Sequence, residues 1–349
     1  MGAHVNFSNR VELCTRKTLI PIKQITFKSL SKRSVKKICN NISYQIVQID
    51  EYIPRDKLPI VDEIFENRPD MTLRVFGFIL EGHCCDLSFL RELPHVRRLS
   101  INCISNVKHI EIIQTLPLEE LTLEIYDEKD FSIIQEIQPT LKKFFLGDSR
   151  VNHNFDCHWL SQFPNLNELY LRKVKRNVES ISNIKSLKKL ALRGIKTKSW
   201  KFINETNINE LNIYWCAADD LSELENNLKI RKLKLWRLSK LKDLDFISSL
   251  RNLEVLNLSS LSQITKLPDM SNLKQMKEIK LDNVTNLTDI KGIYQVNSLD
   301  RIEIINLGKL DISDIKPLYE NPNIKKIQCL DCTKKQENAL KEFSEIYHK

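Results

Sequence analysis

The sequence predicts an α/β solenoid with one short strand per repeat, and a single recurring pattern leads to that prediction. The pattern has apolar residues at its first, fourth and sixth positions, as in Leu166, Leu169 and Leu171. It returns at steps of 21 to 25 residues. A fixed period of this length is typical of repeat proteins, whose core lengthens in one dimension as the units stack. The twelve frames begin at Leu73, Val96, Leu118, Leu141, Leu166, Leu187, Ile208, Ile230, Leu253, Met276, Leu299 and Ile324.

Each frame predicts a short strand followed by a thin return path. Polar residues usually fill the third and fifth positions, which gives the two-residue alternation of a strand with one buried face. After the strand the apolar spacing changes to three residues, as in Leu238, Leu241 and Leu244. Side chains at i and i+3 line up when a turn contains three residues, so this spacing favours 3₁₀ or extended segments.

The frames resemble those of leucine-rich-repeat proteins of the short bacterial type, similar to the internalins, over about residues 70 to 332. The resemblance implies a horseshoe with a parallel concave sheet, a short 3₁₀ or extended convex side, and protein recognition without catalysis by the repeats. One position departs from that family. Its turn asparagine is replaced here by residues such as Val174, Ile195 and Leu238, so the turn backbone must be satisfied by other backbone groups or water.

The two ends of a repeat stack need caps, and both termini have suitable segments. Residues 1–60 are predicted to be a basic N-terminal cap or degenerate repeats, with strands at 22–27 and 45–49 and a short helical turn at 60–65. Residues 61–332 form the solenoid of about 12 repeats. Residues 333–349 are predicted to be a C-terminal capping helix, in which Leu340, Phe343 and Tyr347 share one stripe.

Charge and composition exclude several classes of function. The chain of 349 residues has a formal charge of +9, and residues 1–49 carry nine basic residues against Glu12 alone, or 9 − 1 = +8. The repeats are nearly neutral, which does not favour nucleic-acid binding. No apolar run reaches the length of a membrane span or a secretory signal, and nine cysteines show no paired spacing. We therefore expect a cytoplasmic, monomeric protein with no membrane partner.

No catalytic set or metal site emerges from the reactive residues. Cys329 and Cys332 form a CxxC, but Cys329 is a core position of the last frame and no second pair follows at zinc-site spacing. The segment from His153 to His158 concentrates ligand-type residues, yet four ligands within six residues rarely close a tetrahedron. We expect an exposed bulge there, and no enzyme activity, metal or cofactor.

The outward positions of the frames predict a binding surface rich in aromatic and basic side chains. Protein interfaces enrich Trp, Tyr and Arg, because these side chains bury a large area with few rotatable bonds. The alternative is that the rings pack on each other and stiffen the sheet. The basic residues predict a partner with an acidic contact surface. The predicted protein-binding residues are Phe145, Tyr170, Arg172, Arg193, Tyr214, Trp215, Lys234, Trp236 and Arg237.

The sequence thus predicts a non-enzymatic scaffold that captures a protein partner on its concave face. A composition rich in Lys, Asn and Ile suggests a bacterial source. Within a bacterium, an immunity or antitoxin protein and a regulatory adaptor both fit. The alternative is a translocated effector whose repeats select a host target.

Overall fold

The structure is a computed structural model that describes residues 10–15, 21–50, 53–77, 85–103 and 107–349. The chain forms two compact units, Met1–Asn177 and Val178–Lys349. Most strands of both units pair with a neighbour in parallel, and short 3₁₀ helices lie in the segments between many of them. The parallel sheet and the 3₁₀ segments predicted from the frames are therefore confirmed.

Unit 1 contains a sheet that begins with an antiparallel hairpin and continues as parallel strands. Strand β1 pairs antiparallel with both β2 and β3, and from β3 onward the order is β3, β4, β6, β8, β9 and β10. The strands are β1 (Arg10–Cys14), β2 (Pro21–Thr26), β3 (Ile46–Ile49), β4 (Thr72–Gly77), β5 (Cys85–Asp86), β6 (Arg98–Cys103), β7 (Val107–Lys108), β8 (Glu120–Ile125), β9 (Lys143–Leu146) and β10 (Glu168–Arg172).

The helices of unit 1 differ from the sequence prediction at its N-terminal end. Helix α1 (Lys32–Cys39) has Ser31 as its N-cap and was not foreseen, because only Val35 and Ile38 form its buried stripe. Helix α2 (Leu58–Asn67) is longer than the short turn predicted at 60–65. The 3₁₀ helices of this unit are Phe27–Ser29, Arg55–Lys57, Ser88–Glu92, Ile110–Thr115, Ser132–Glu136 and Cys157–Gln162.

Unit 2 consists of seven strands in sequential order, each parallel to the next. Helix α3 (Ile312–Glu320) starts with a capping box formed by Asp311 and Asp314 and replaces the 3₁₀ segment of one repeat. Helix α4 (Lys334–Tyr347) buries Leu340, and the rings of Phe343 and Tyr347 contact Tyr319 of α3. The strands are β11 (Lys189–Arg193), β12 (Glu210–Tyr214), β13 (Lys232–Trp236), β14 (Val255–Ser259), β15 (Glu278–Asp282), β16 (Arg301–Ile305) and β17 (Lys326–Leu330); the 3₁₀ helices are Val178–Asn183, Lys201–Glu205, Ser222–Leu224, Asp245–Ser249 and Lys291–Ile293.

Equivalent positions of successive frames lie side by side in unit 2. The fourth positions pair in register, with Leu190 opposite Leu211 and Leu211 opposite Leu233. These three side chains are at most 1% exposed. Since strand residues alternate between the two faces, this register leaves the third, fifth and seventh positions on the opposite, outward face.

The first frame was wrong by three residues. Strand β4 pairs with β6 so that Leu73 lies opposite Leu99, which is the fourth position of its own frame. The first frame therefore begins at Asp70, and its fifth, outward position is Arg74. The apolar pattern missed this start because Asp70 is polar; its carboxylate accepts a hydrogen bond from Arg68 at 2.7 Å.

The eighth position of each frame in unit 2 carries the turn that leaves the strand. In every frame of unit 2 except the last, its N–H donates to the carbonyl of the seventh position in the next repeat, as from Trp215 to Trp236 at 2.9 Å and from Arg237 to Ser259 at 3.0 Å. This backbone ladder satisfies part of the turn, and at the ninth position the Cys216 thiol also accepts a hydrogen bond from the Ile195 N–H. The eighth-position residues have φ between 51° and 63° and are Gly194, Trp215, Arg237, Ser260, Asn283, Asn306 and Asp331.

Candidate protein-binding surface

The nine residues predicted to bind a partner are divided between the two units. Three lie in unit 1, where Phe145 is on β9 and Tyr170 and Arg172 are on β10. The other six lie in unit 2, on or directly after β11, β12 and β13. All nine belong to outward or turn positions of their frames, so the repeat register places two groups of side chains, one on each unit.

In unit 1 each of the three predicted residues has a side-chain partner within the unit. The rings of Phe145 and Tyr170 stack with centroids 4.1 Å apart and planes 7° from parallel. Arg172 forms an ion pair with Asp148 at 2.9 Å, and Lys173 approaches the same carboxylate at 3.5 Å. This group has the internal packing expected if aromatic residues stiffen the sheet.

In unit 2 the predicted residues form a cluster of aromatic rings and cations, here called the Trp–Arg cluster. Trp215 and Trp236 lie with ring centroids 5.5 Å apart, and Tyr214 meets the edge of Trp236 at 5.9 Å. The guanidinium carbon of Arg193 lies 4.3 Å from the Trp215 ring centroid, and that of Arg237 lies 5.3 Å from it. The members are Arg193, Tyr214, Trp215, Lys234, Trp236 and Arg237.

The three cations of the Trp–Arg cluster have no carboxylate partner among the residues that the structure describes. Arg193, Lys234 and Arg237 form no ion pair within the part of the chain that the structure describes. Some other cations of unit 2 are paired, as Arg231 is with Glu254 at 3.2 Å and Lys280 with Glu303. Cation–π contacts therefore take the place of ion pairs in this cluster, and its surface keeps a formal charge of +3.

Two cluster residues adopt a backbone conformation that their side chains disfavour. Trp215 and Arg237 both have φ of 53°, the left-handed region that costs a residue with a Cβ roughly 1–2 kcal/mol. Gly194, Asn283 and Asn306 occupy the same position in other repeats and adopt this conformation more readily. The Trp215 side chain also remains 40% exposed. The left-handed conformation belongs to the turn of every repeat in unit 2, whereas a large exposed aromatic ring is a side chain that protein interfaces enrich.

The reactive residues noted in the sequence have structural surroundings. Cys329 is half-buried on β17, and burial raises the pKa of its thiol to about 12, so the thiol stays protonated near neutral pH. Cys157 and Phe155 of the His153–His158 segment are buried, while His158 is exposed. Among the described residues, no group of three His, Cys, Asp or Glu side chains is arranged to hold a metal ion.

The sequence reading missed a polar ladder on the outward face of unit 1. Gln48 donates to Glu12 at 2.7 Å and accepts from Arg74 at 2.6 Å. Arg74 also donates to Asn102 at 2.9 Å, and Asn102 donates to Glu124 at 2.8 Å. The ladder crosses β1, β3, β4, β6 and β8. Within the frames it uses the fifth position at Arg74 and seventh positions at Asn102 and Glu124, so correct placement of the first frame would have predicted that these three side chains share a face.

Comparison with known proteins identifies the fold. No protein-family model and no curated protein sequence matches the chain. A crystal structure of an internalin (inlF) from Listeria monocytogenes is 16% identical and superimposes with a TM-score of 0.55 over 93% of this chain and 89% of that chain. An internalin C2 (inlC2) from the same species is 17% identical over 85% of this chain and 91% of that chain, with a TM-score of 0.36. The inlF similarity confirms the predicted leucine-rich-repeat fold.

One further observation concerns membranes. Within the described ranges, no helix is both long and apolar enough to span a bilayer.

Replacing the strained cluster residues by asparagine should leave stability nearly unchanged. In the double variant Trp215→Asn/Arg237→Asn, relief of left-handed strain offsets lost cation–π contacts of about 0.5–1 kcal/mol each. We expect the free energy of unfolding in urea to change by less than about 1 kcal/mol. Leu233→Ala provides the scale, since truncating a buried leucine costs about 2–5 kcal/mol. A loss comparable to that of Leu233→Ala would show that the cluster mainly stabilises the sheet.

Acidification should destabilise unit 1 through His153. Its ring nitrogens are buried and its ring meets the edge of Phe131 at 5.4 Å. Burial, assisted by the nearby charge of Lys175, lowers the pKa of His153 below its ordinary value of 6.5. Above that pH both folded and unfolded states are neutral at this residue; below it the unfolded state takes up a proton first, and stability falls.

The test compares wild type with His153→Leu in urea unfolding at pH 7.5 and pH 5. We expect the free energy of unfolding of wild type to fall more than that of the variant over this range. Equal losses in the two proteins would exclude His153 as the source of acid sensitivity.

Proposed function

We propose that the chain is a non-enzymatic scaffold that binds a protein partner through the Trp–Arg cluster of unit 2. The observation that carries this proposal is the exposed Trp215 ring, which the guanidinium groups of Arg193 and Arg237 both contact. The surrounding contacts hold the ring in place before any partner arrives. A rigid aromatic group loses little conformational freedom on binding, which is the property of an interface anchor.

The charge of the cluster supports an acidic contact surface on the partner. Arg193, Lys234 and Arg237 lack intramolecular carboxylate partners among the described residues. A partner carboxylate placed beside these groups would gain charge-assisted hydrogen bonds. Burial of the indole rings around the carboxylate and the cluster cations would exclude water and strengthen their electrostatic attraction.

In unit 1, we propose the Phe145 and Tyr170 stack and Arg172 as a weaker contact. Arg172 is already neutralised by Asp148, so a partner would gain little from its charge. The stacked rings still offer apolar area at the outward face. The contribution of these residues to binding is therefore expected to be smaller than that of the Trp–Arg cluster.

For the cellular role, we propose a cytoplasmic bacterial protein that acts as a monomer, either as an immunity or antitoxin protein or as a regulatory adaptor. Unpaired thiols at Cys14, Cys103 and Cys216 support a reducing compartment. A scaffold whose surface is anchored by aromatic residues can block a toxin by covering its active site. Co-expression with the captured partner distinguishes the roles, because an immunity protein restores growth that the partner alone suppresses.

Truncating the aromatic anchors should abolish partner capture without unfolding the chain. We expect Tyr214→Ala/Trp215→Ala/Trp236→Ala to reduce the amount of the main partner recovered by affinity purification and mass spectrometry at least tenfold. Each hot-spot truncation costs about 2 kcal/mol or more, which alone exceeds a tenfold loss of affinity.

The matched control is Leu228→Ala/Arg251→Ala, which removes an exposed apolar side chain and an exposed cation of unit 2 outside the cluster. The control should recover the partner as wild type does. Undiminished capture by the triple variant, with a far-UV CD spectrum like that of wild type, would contradict the proposed surface.

A further inference from the structure

The N-terminal hairpin of unit 1 leaves a sheet edge open. Strand β2 ends the order of strands and, among the described residues, pairs with β1 alone. Its side chains are mostly exposed, and Ile22 is 50% exposed. The outer main-chain N–H and C=O groups of an edge strand can pair with an added strand.

A groove runs beside this edge, between β2 and helix α1. It has a volume of about 570 Å³, and its lining includes Lys23 and Ile25 from β2 and Lys37 and Ile38 from α1. Ile38 is buried and contributes apolar surface to a lining that also contains polar residues such as Ser34 and Asn41. A strand added to β2 would lie about 4.8 Å further out, where the groove can receive its side chains.

The groove lining includes residues 23–26 of β2, and the pairing of β1 and β2 shows on which face of the sheet each of these side chains lies. Ile25 lies opposite Val11 and Lys23 opposite Leu13, and both β1 partners are fully buried. Gln24 lies opposite Glu12 on the other face and donates to it at 2.9 Å. An added strand would therefore present alternate side chains to a mixed apolar and basic surface.

The charge around the groove selects the kind of occupant. Residues 21–41 contain six basic residues and no acidic one. None of the six forms an ion pair with a described residue. A second copy of this chain would bring a second set of these cations to the edge, so like-charge repulsion opposes it. An acidic strand would pair with Lys23 and Lys37 from opposite walls. The six basic residues are Lys23, Lys28, Lys32, Arg33, Lys36 and Lys37.

We propose that β2 and the adjoining groove bind an extended acidic segment of a partner protein, which adds to the sheet as a further strand. Main-chain pairing with β2 supplies affinity, and Lys23 and Lys37 select for carboxylates on the side of the segment that faces α1. This site shares no residue with the Trp–Arg cluster, so a negative result for the groove would not contradict the proposed function, and a negative result for the cluster would not contradict the groove.

The test uses a defined peptide and the full chain. The probe is a fluorescein-labelled twelve-residue peptide with the repeat Val-Thr-Glu-Thr, and the comparison peptide has Gln in place of Glu. Fluorescence anisotropy should show at least tenfold tighter binding of the Glu peptide. Amide hydrogen exchange of the complex should show new protection in Pro21–Thr26.

Two double variants with the same change in charge separate groove recognition from general attraction. Lys23→Gln/Lys37→Gln removes the cations that line the groove, and binding of the Glu peptide should weaken at least tenfold. Lys32→Gln/Lys36→Gln removes two exposed cations of the same region that do not line it, and binding should weaken less than threefold.

Three results would overturn the proposal. They are equal weakening by the two double variants, binding without protection of β2, and absence of binding by the Glu peptide. A single-stranded oligonucleotide of twelve nucleotides serves as the competing ligand; if it binds more tightly than the Glu peptide and does so independently of Lys23 and Lys37, the basic region is a general polyanion surface.

Discussion

The register between neighbouring strands is the constraint on which the rest of the structure depends. Burial of the fourth and sixth positions of the frames, which is partial only in the last one, forces each strand to pair with the next at the same height, as Leu211 does with Leu233 and Leu233 with Leu256. A slip of one residue would turn the buried leucines outward and bring polar residues into the core. The inward apolar residues therefore determine where every outward side chain lies, although they do not themselves reach the outward face.

The same register explains how the Trp–Arg cluster forms. Tyr214 and Trp236 occupy seventh positions of adjacent strands and lie opposite each other in the sheet. Trp215 and Arg237 follow at eighth positions, where the backbone must turn in the left-handed conformation. The backbone ladder pairs the N–H of Trp215 and of Arg237, so the ladder does not require a particular side chain at the eighth position. The left-handed backbone at Trp215 and Arg237 lowers the stability of the fold and places both side chains in the cluster.

Much of the fold could be predicted because periodicity reports burial directly. The strands and 3₁₀ segments of the repeats follow from apolar spacings of two and three residues. Helix α3 could not be distinguished, since Ile315 and Leu318 keep the three-residue spacing of a 3₁₀ segment while the capping box at Asp311 starts an α-helix. Strand β1 escaped notice because it is a single short strand that pairs antiparallel and belongs to no frame.

The surface was harder to predict than the core, because outward positions carry no periodic signal of their own. The frames place Phe145 and Tyr170 in the same column as Lys234, but pattern alone does not show that the first two stack while Lys234 approaches the Tyr214 ring. Nor does it show that Arg172 has a carboxylate partner and Arg193 has cation–π contacts instead. Those differences depend on individual neighbours. They distinguish the unit 1 residues, which have partners within the unit, from the Trp–Arg cluster, whose cations form no ion pair with a described residue.

Amide hydrogen exchange of the chain with and without its captured partner tests the central claim most directly. The account predicts that binding slows exchange in β11 to β13 and in the turns that follow them, around Gly194, Trp215 and Arg237. Protection confined to the opposite side of the repeats, at Ser222–Leu224 and Asp245–Ser249, would contradict it.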